Sequence, residues 1–425
     1  MACDEFDRGR HILFLPYPSH GHLRPTLGIA RELIRRGHRV TYALNGAISE
    51  VARATGARVV AYETALMSNI KPPDSWTEDA LGAGFLQYIT EITGTTSGIE
   101  RQVARDRPDL IAYDCTIWAP GRVLGHKWGL PTIQLLPIFA SNDAYSYQQA
   151  QIDNGGHPTL PEDHPVVTTV RELIATFLSE HGIDAAQGEA LMAGKDEHGI
   201  VFLPRSLQPC GETFGDDHVF VGPCSEEGPA DESWRAAEGD SRPMVFISLG
   251  TVVNDHPEFF RLCAEAFAGR PWRVALAVGD ALDEREMTSF PDNFTVRRWV
   301  PYGAILPYAS VFVSHAGMGG IMEAGRSATP LVLIPFQPDQ RIIADRITEL
   351  GLGRQLARTE VTPQSLRAVV EDVAADTGAA AGMAKLRADI QAAGGAVRAA
   401  DVIEGRLALL PRQDERGDER IGVAS

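Results

Sequence analysis

The chain reads as short apolar runs separated by longer stretches of mixed pattern. "HILFLP", "HRVTYAL", "ARVVAYE", "DLIAYD" and "PTIQLLP" are six or seven residues each. Such runs are expected of strands buried on both faces. Between the first two, Leu23, Leu27, Ala30 and Ile34 recur at helical spacing, and Gly37 follows as a stop signal. Strand and helix therefore alternate, which implies a parallel sheet with helices on both faces. "GIVFLP" (199–204) and "HVFVGP" (218–223) extend the series.

A polar, acidic stretch with Gly and Pro then runs from Cys224 to Pro243 without apolar periodicity, and it reads as an interdomain linker. A second series opens at "MVFISLG" (244–250) and continues through "WRVALAVG", "FTVRRWV", "ASVFVSHAG" and "PLVLIPF". The C-terminal stretch patterns as helices, including "AVRAADVIEGRLALL", and the polar tail 411–425 is expected to be disordered. The expected architecture is α/β: two facing, Rossmann-like, doubly wound domains, 1–223 and 244–410, joined by 224–243. The last helix is expected to pack back on the first domain. In such sheets ligands bind at the carboxyl ends of the strands.

Composition narrows the function. The 425 residues exceed one ordinary core, which agrees with two domains. Hydrophobic residues make up 44% and charged residues 22%, as in soluble globular proteins. A net charge of −17 argues against nucleic acid or an anionic membrane as the main partner. The longest apolar runs, such as Leu331 to Phe336, fall far short of the roughly 20 residues that span a bilayer. The opening "MACDEFDRGR" has acids and no apolar core, so no secretory signal is read and a cytoplasmic location is expected. Cys3, Cys115, Cys210, Cys224 and Cys263 are scattered and odd in number, as reduced structural thiols would be.

Two places carry chemistry. The first is "VSHAGMGGIMEAGRSATPLVLIPFQPDQRIIADRITELGLG", Val313 to Gly353. A strand ends at Ser314, then His315, Gly317, Gly319 and Gly320 precede a helix. Glycines there let backbone N–H groups approach an anion, and the helix N-terminus adds positive potential. The dinucleotide fingerprint is broken, because Met322 stands where its third glycine belongs, and no P-loop occurs. The glycines alone fit a phosphate cradle or a tight structural turn. The second place is "YPSHGHLRPTLGIARELIRRGH", Tyr17 to His38, with two histidines in a turn at the end of the first strand. Asp114 ends another strand on the same sheet rim, as a partner for an imidazole or as a cap of its own turn.

The stretch from Val313 resembles the donor-binding signature of the UDP-glycosyltransferase family, and specifically its bacterial branch acting on macrolides and other natural products. His315, Gly317, Gly319, Glu323, Pro330, Asp339 and Gln340 all match, and the likeness covers nearly the whole chain. The resemblance implies the GT-B fold. It implies that His315 contacts the donor diphosphate with the amides of Met318, Gly319 and Gly320 and the hydroxyl of Thr251. Glu323 would bind ribose, Trp299 and Val300 would lie near the base, and Asp339 with Gln340 would read the sugar, leaning toward glucose. The family's Trp-Val-Pro-Gln motif reads Trp299-Val300-Pro301-Tyr302 here, so its glutamine is missing. The resemblance further makes His20 the general base, with Asp114 its partner and His22 structural.

The expected activity is therefore inverting transfer of a hexose from a UDP-sugar, as co-substrate, to a hydroxyl of a small-molecule acceptor. The chain lacks an Asp-x-Asp motif, so no obligatory metal is expected; Asp216-Asp217 reads as a solvated pair. The acceptor is expected against 67–99 and "IFASNDAYSYQQAQIDN" (138–154). Alternatives are a cell-wall lipid N-acetylglucosaminyltransferase, a sugar-nucleotide epimerase, or a catalytically silent partner of a deoxysugar transferase.

Overall fold

The computed structural model describes residues 9–63, 77–155, 160–194, 198–225, 230–250 and 255–409. The first apolar series forms β1 (His11–Leu15), β2 (Arg39–Ala43), β3 (Arg58–Val60), β4 (Leu110–Asp114), β5 (Thr132–Leu136), β6 (Gly199–Val201) and β7 (His218–Phe220). They make one sheet in the order β3-β2-β1-β4-β5-β6-β7, and every pairing is parallel. The second series forms β8 (Met244–Ser248), β9 (Arg273–Ala277), β10 (Phe294–Arg297), β11 (Val311–Ser314), β12 (Leu331–Leu333) and β13 (Gly353–Gln355). Its parallel order is β10-β9-β8-β11-β12-β13. Each sheet winds out in two directions from its first strand. Each therefore has a switch point, between β1 and β4 and between β8 and β11, where a crevice opens at the carboxyl ends.

The apolar runs form strands because they are covered on both sides: β1, β4 and β8 are buried at every position. β13 was not expected, since Gly-Arg-Gln has no apolar run. It forms because the chain lies against β12 there. A Cβ on Gly353 would come within 2.2 Å of the Leu331 carbonyl oxygen, so only glycine permits that approach.

The two halves share a core. Phe139, Leu203 and Leu207 cluster with Phe246, Phe312 and Ile343. The Arg346 guanidinium donates to the carbonyls of Ser206, Leu207 and Gln208. The helix Gly395–Leu407 returns to the first sheet, burying Ala399, Ala400, Ile403 and Leu407 beside Leu23, Ile29 and Leu33. Arg36 donates to Asp401 and Glu404 along that seam.

One local expectation is corrected. The first helix is His20–Arg35, with Ser19 as its extended N-cap residue. The two histidines thus lie in the first helical turn, not in a loop before it.

Candidate active site

Helical register separates the two histidines. Residues two apart on a helix point about 200° away from each other. Only one can face β4, and that one is His22. Its Nδ1 lies 2.7 Å from Asp114 Oδ2. Asp114 is 1% exposed, while 29% of the His22 side chain remains exposed. The other carboxylate oxygen, Oδ1, accepts the Thr116 amide at 2.8 Å. Asp114 therefore does both things its position suggested: one oxygen caps the turn after β4 and the other takes the imidazole. The expected pairing of Asp114 with His20 is not formed. His20 is exposed and its side chain makes no hydrogen bond or ion pair among the described residues, and burial and Arg24 lower its pKa.

Burial opposes a charge on His22, but the carboxylate of Asp114, and then that of Asp339, outweigh it, so its pKa is raised. Asp339 belongs to the second half, in the first turn of the helix Pro338–Glu349, and burial raises its own pKa while His22 opposes the rise. The two sheet rims thus face each other across His22 and Asp339. Tyr17 stacks obliquely on the His22 ring at 5.1 Å, and Tyr88 donates to the Thr116 carbonyl beside Asp114. Tyr147, within the stretch expected to line the acceptor, is in electrostatic reach of Asp339. Residues 67–76 of the other expected acceptor segment lie outside the described residues.

The second rim is built from paired turns. Ser248 ends β8 and its Oγ accepts the Gly250 amide at 3.2 Å; Ser314 ends β11 and its Oγ accepts the Ala316 amide at 3.2 Å. Gly250 has φ 77° and Ala316 has φ 68°. A left-handed alanine is strained, and such strain is held in place where a site requires it. Between these turns lies the His315 ring. A Cβ on Gly250 would meet its Cε1 at 2.5 Å, and one on Gly317 would meet its Nε2 at 2.5 Å. Burial pushes the His315 pKa down to about 4, opposed only in part by the Ser248 carbonyl, which favours a ring N–H, so the ring is neutral near pH 7.

Gly317 is the N-cap residue of the helix Met318–Ser327 and offers no side-chain cap. The first N–H groups of that helix, those of Met318, Gly319 and Gly320, therefore have no intrahelical acceptor. A Cβ on Gly319 would meet nothing within 4 Å, whereas Gly320 packs against Tyr302 and Phe312. Neutral His315, bare helix N–H groups and open space at Gly319 suit a diphosphate.

The remaining expected residues divide. Glu323 accepts from Ser225 and Arg326. Trp299 is 58% exposed, while Val300 is buried in the shared core, where only its main chain could meet a ligand. Tyr302, in the place of the family's glutamine, packs edge-on to Phe246 and Phe312 with its hydroxyl 3.2 Å from Ser248 Oγ. Gln340 is buried, and its side-chain oxygen accepts the Phe336 and Gln337 amides, a capping task distinct from sugar contact. Thr251 lies outside the described residues. Among the described residues no three His, Cys, Asp or Glu side chains are grouped to hold a metal, and no helix is long and apolar enough to cross a membrane.

Comparison with known proteins shows the family. Residues 274–403 match the family described as erythromycin biosynthesis protein CIII-like, C-terminal domain. The chain is 36% identical over 407 residues to demethyllactenocin mycarosyltransferase of Streptomyces fradiae, covering 94% of this chain and 87% of that one. It is 35% identical to the NDP-glycosyltransferase YjiC of Bacillus subtilis, covering 93% and 96%. The crystal structure of CalG4, the calicheamicin glycosyltransferase, superposes with a TM-score of 0.85 at 34% identity, over 96% of this chain and all of that one. The fold and site define a nucleotide-sugar transferase of GT-B architecture. The chain belongs to the UDP-glycosyltransferase family, and it is a glycosyltransferase.

Proposed function

We propose that the enzyme moves a hexose, glucose in this reading, from a UDP-sugar to a hydroxyl of a small natural product such as a macrolide, by single displacement with inversion. Residues 1–223 bind the acceptor and 244–410 the donor, with 224–243 as the linker. The hydrogen bond between His22 and Asp114 at a sheet switch point carries the reading. An acceptor hydroxyl is a poor nucleophile at pH 7 and needs a base that titrates nearby. As its oxygen attacks C1 of the sugar, the proton passes to His22. Asp114 fixes the imidazole tautomer and stabilises the imidazolium that forms. The bond from C1 to the diphosphate breaks, and the growing charge falls on the helix N–H groups and on neutral His315, which acts as a hydrogen-bond donor, not a cation. This supplies leaving-group stabilisation from the chain itself, and we assign no obligatory metal. The similarity to the calicheamicin glycosyltransferase and to a mycarosyltransferase supports a natural-product acceptor. Asp339 facing His22 supports a donor sugar with a free hydroxyl near C1's neighbours.

The test compares two alanine variants on an acceptor found by mass-spectrometric screening with UDP-glucose. His22→Ala should lose about 10²–10⁴ in kcat with UDP affinity intact. His20→Ala should stay near wild type. The reverse order would overturn the assignment. Proton NMR of the product should show a β-glycoside from the α-linked donor, in excess EDTA as well; an α-product would contradict single displacement.

A further inference from the structure

Arg326 lies one turn after Glu323 on the helix Met318–Ser327. Its Nη1 donates to Glu323 Oε1 and to Ser225 Oγ, both at 3.2 Å. Its Nη2 donates to the carbonyls of Pro223 and Ser225, both at 2.8 Å. Ser225 Oγ in turn donates to Glu323 Oε1 at 3.0 Å. The serine hydroxyl thus accepts from the guanidinium and donates to the carboxylate, so all three groups are oriented together. The side chains of Arg326 and Glu323 are 12% and 18% exposed. An exposed pair three residues apart on a helix would add little. This one is mostly buried, and the second arm of its fork is held by main-chain carbonyls, which makes it a network.

The anchoring segment is where the chain leaves the first sheet. It is pinned from the other side by the helix that carries His22: a Cβ on Gly28 would come within 2.0 Å of the Cys224 carbonyl oxygen. Residues 223–225 are therefore wedged between the helix of the base and the carboxylate assigned to ribose.

We propose that Arg326 and Ser225 are positioning residues for the donor: they hold Glu323 in its binding orientation and tie it to the crossover at 223–225, so that the segment leaving the first sheet sets ribose recognition in the second half. The inference rests on the reading of Glu323 as the ribose ligand.

A double-mutant cycle read by UDP calorimetry tests it. Glu323→Gln should weaken UDP about 10- to 100-fold, and Arg326→Gln about 5- to 50-fold, as expected for hydrogen bonds to a charged group. In the Glu323→Gln background, Arg326→Gln should cost less than about 2-fold further, because its effect acts through that carboxylate. Arg326→Lys should recover only part of the affinity, since an ammonium cannot fork between carboxylate and carbonyls. Ser225→Ala, which removes one hydroxyl, supplies the same cycle where Arg326→Gln folds poorly. Additive losses would make Arg326 a general structural residue and overturn the inference. So would wild-type affinity in both Ser225→Ala and Arg326→Lys while Glu323→Gln is weakened. Wild-type affinity in Glu323→Gln itself would instead remove the ribose reading, and this inference with it.

Discussion

His22 and His20 share a residue type, a helical turn and a strand end, yet their environments differ in kind. The carboxylates of Asp114 and Asp339 raise the pKa of His22 against its burial, while His20 feels burial and Arg24, which lower it. A base acts in its neutral form, so kcat/KM should rise with pH through an acid limb set above 6.5, the ordinary histidine value. Asp114→Asn removes the largest of the raising influences. Its acid limb should move to lower pH, and its plateau kcat should fall about 10²-fold or more, because the imidazolium loses its counter-charge. A pH–rate profile measures both. An unmoved limb would mean that Asp114 does not govern the titration. The sequence contained every residue of this pair, including the family motif, but not the register. Which histidine meets Asp114 depends on whether the helix begins at His20 or beyond, and a shift at that boundary exchanges the faces.

At the scale of elements, the strands were legible because parallel strands covered on both faces must be apolar throughout, and the runs had clear ends. β13 was illegible because packing against Leu331, not its own composition, makes it a strand. The donor loop was legible as glycines but not in what each glycine does. Gly317 makes room for the His315 ring, and Gly319 borders open space. The serines that end β8 and β11 pattern with their strands, though a serine two residues before a left-handed position is a turn signal in its own right. These roles separate in experiment. Gly317→Ala drives a methyl group into His315 and should weaken UDP by about 10- to 100-fold, the range for losing a hydrogen bond to a charged group. Gly319→Ala meets nothing in the free protein, so thermal stability should hold while UDP affinity falls. Scanning calorimetry with UDP titration distinguishes them, and an unaltered UDP affinity in Gly319→Ala would place the diphosphate elsewhere.

The whole molecule crosses between its halves twice, once near 223–243 and once when the final helix returns. The second crossing has an energetic consequence that domain order in the sequence conceals. Ile403 is fully buried, yet it belongs to the core cluster of Leu23, Ile29 and Leu33 of the first half, not to that of the second-half strands that precede it in the chain. Deleting its side chain to the β-carbon leaves a cavity in the first core, at a cost of roughly 2–5 kcal/mol. A two-domain chain need not unfold in one step, so a single midpoint is a poor measure. Hydrogen exchange resolves the halves instead. In Ile403→Ala, amides of β1 and β4 should lose protection while those of β8 and β11 keep theirs. Turnover should fall with rising temperature before UDP binding does, because the His22 helix is what the last helix braces. Loss of protection confined to β8 and β11 would mean that the final helix stabilises the half that encodes it, and that the return crossing is only a surface contact.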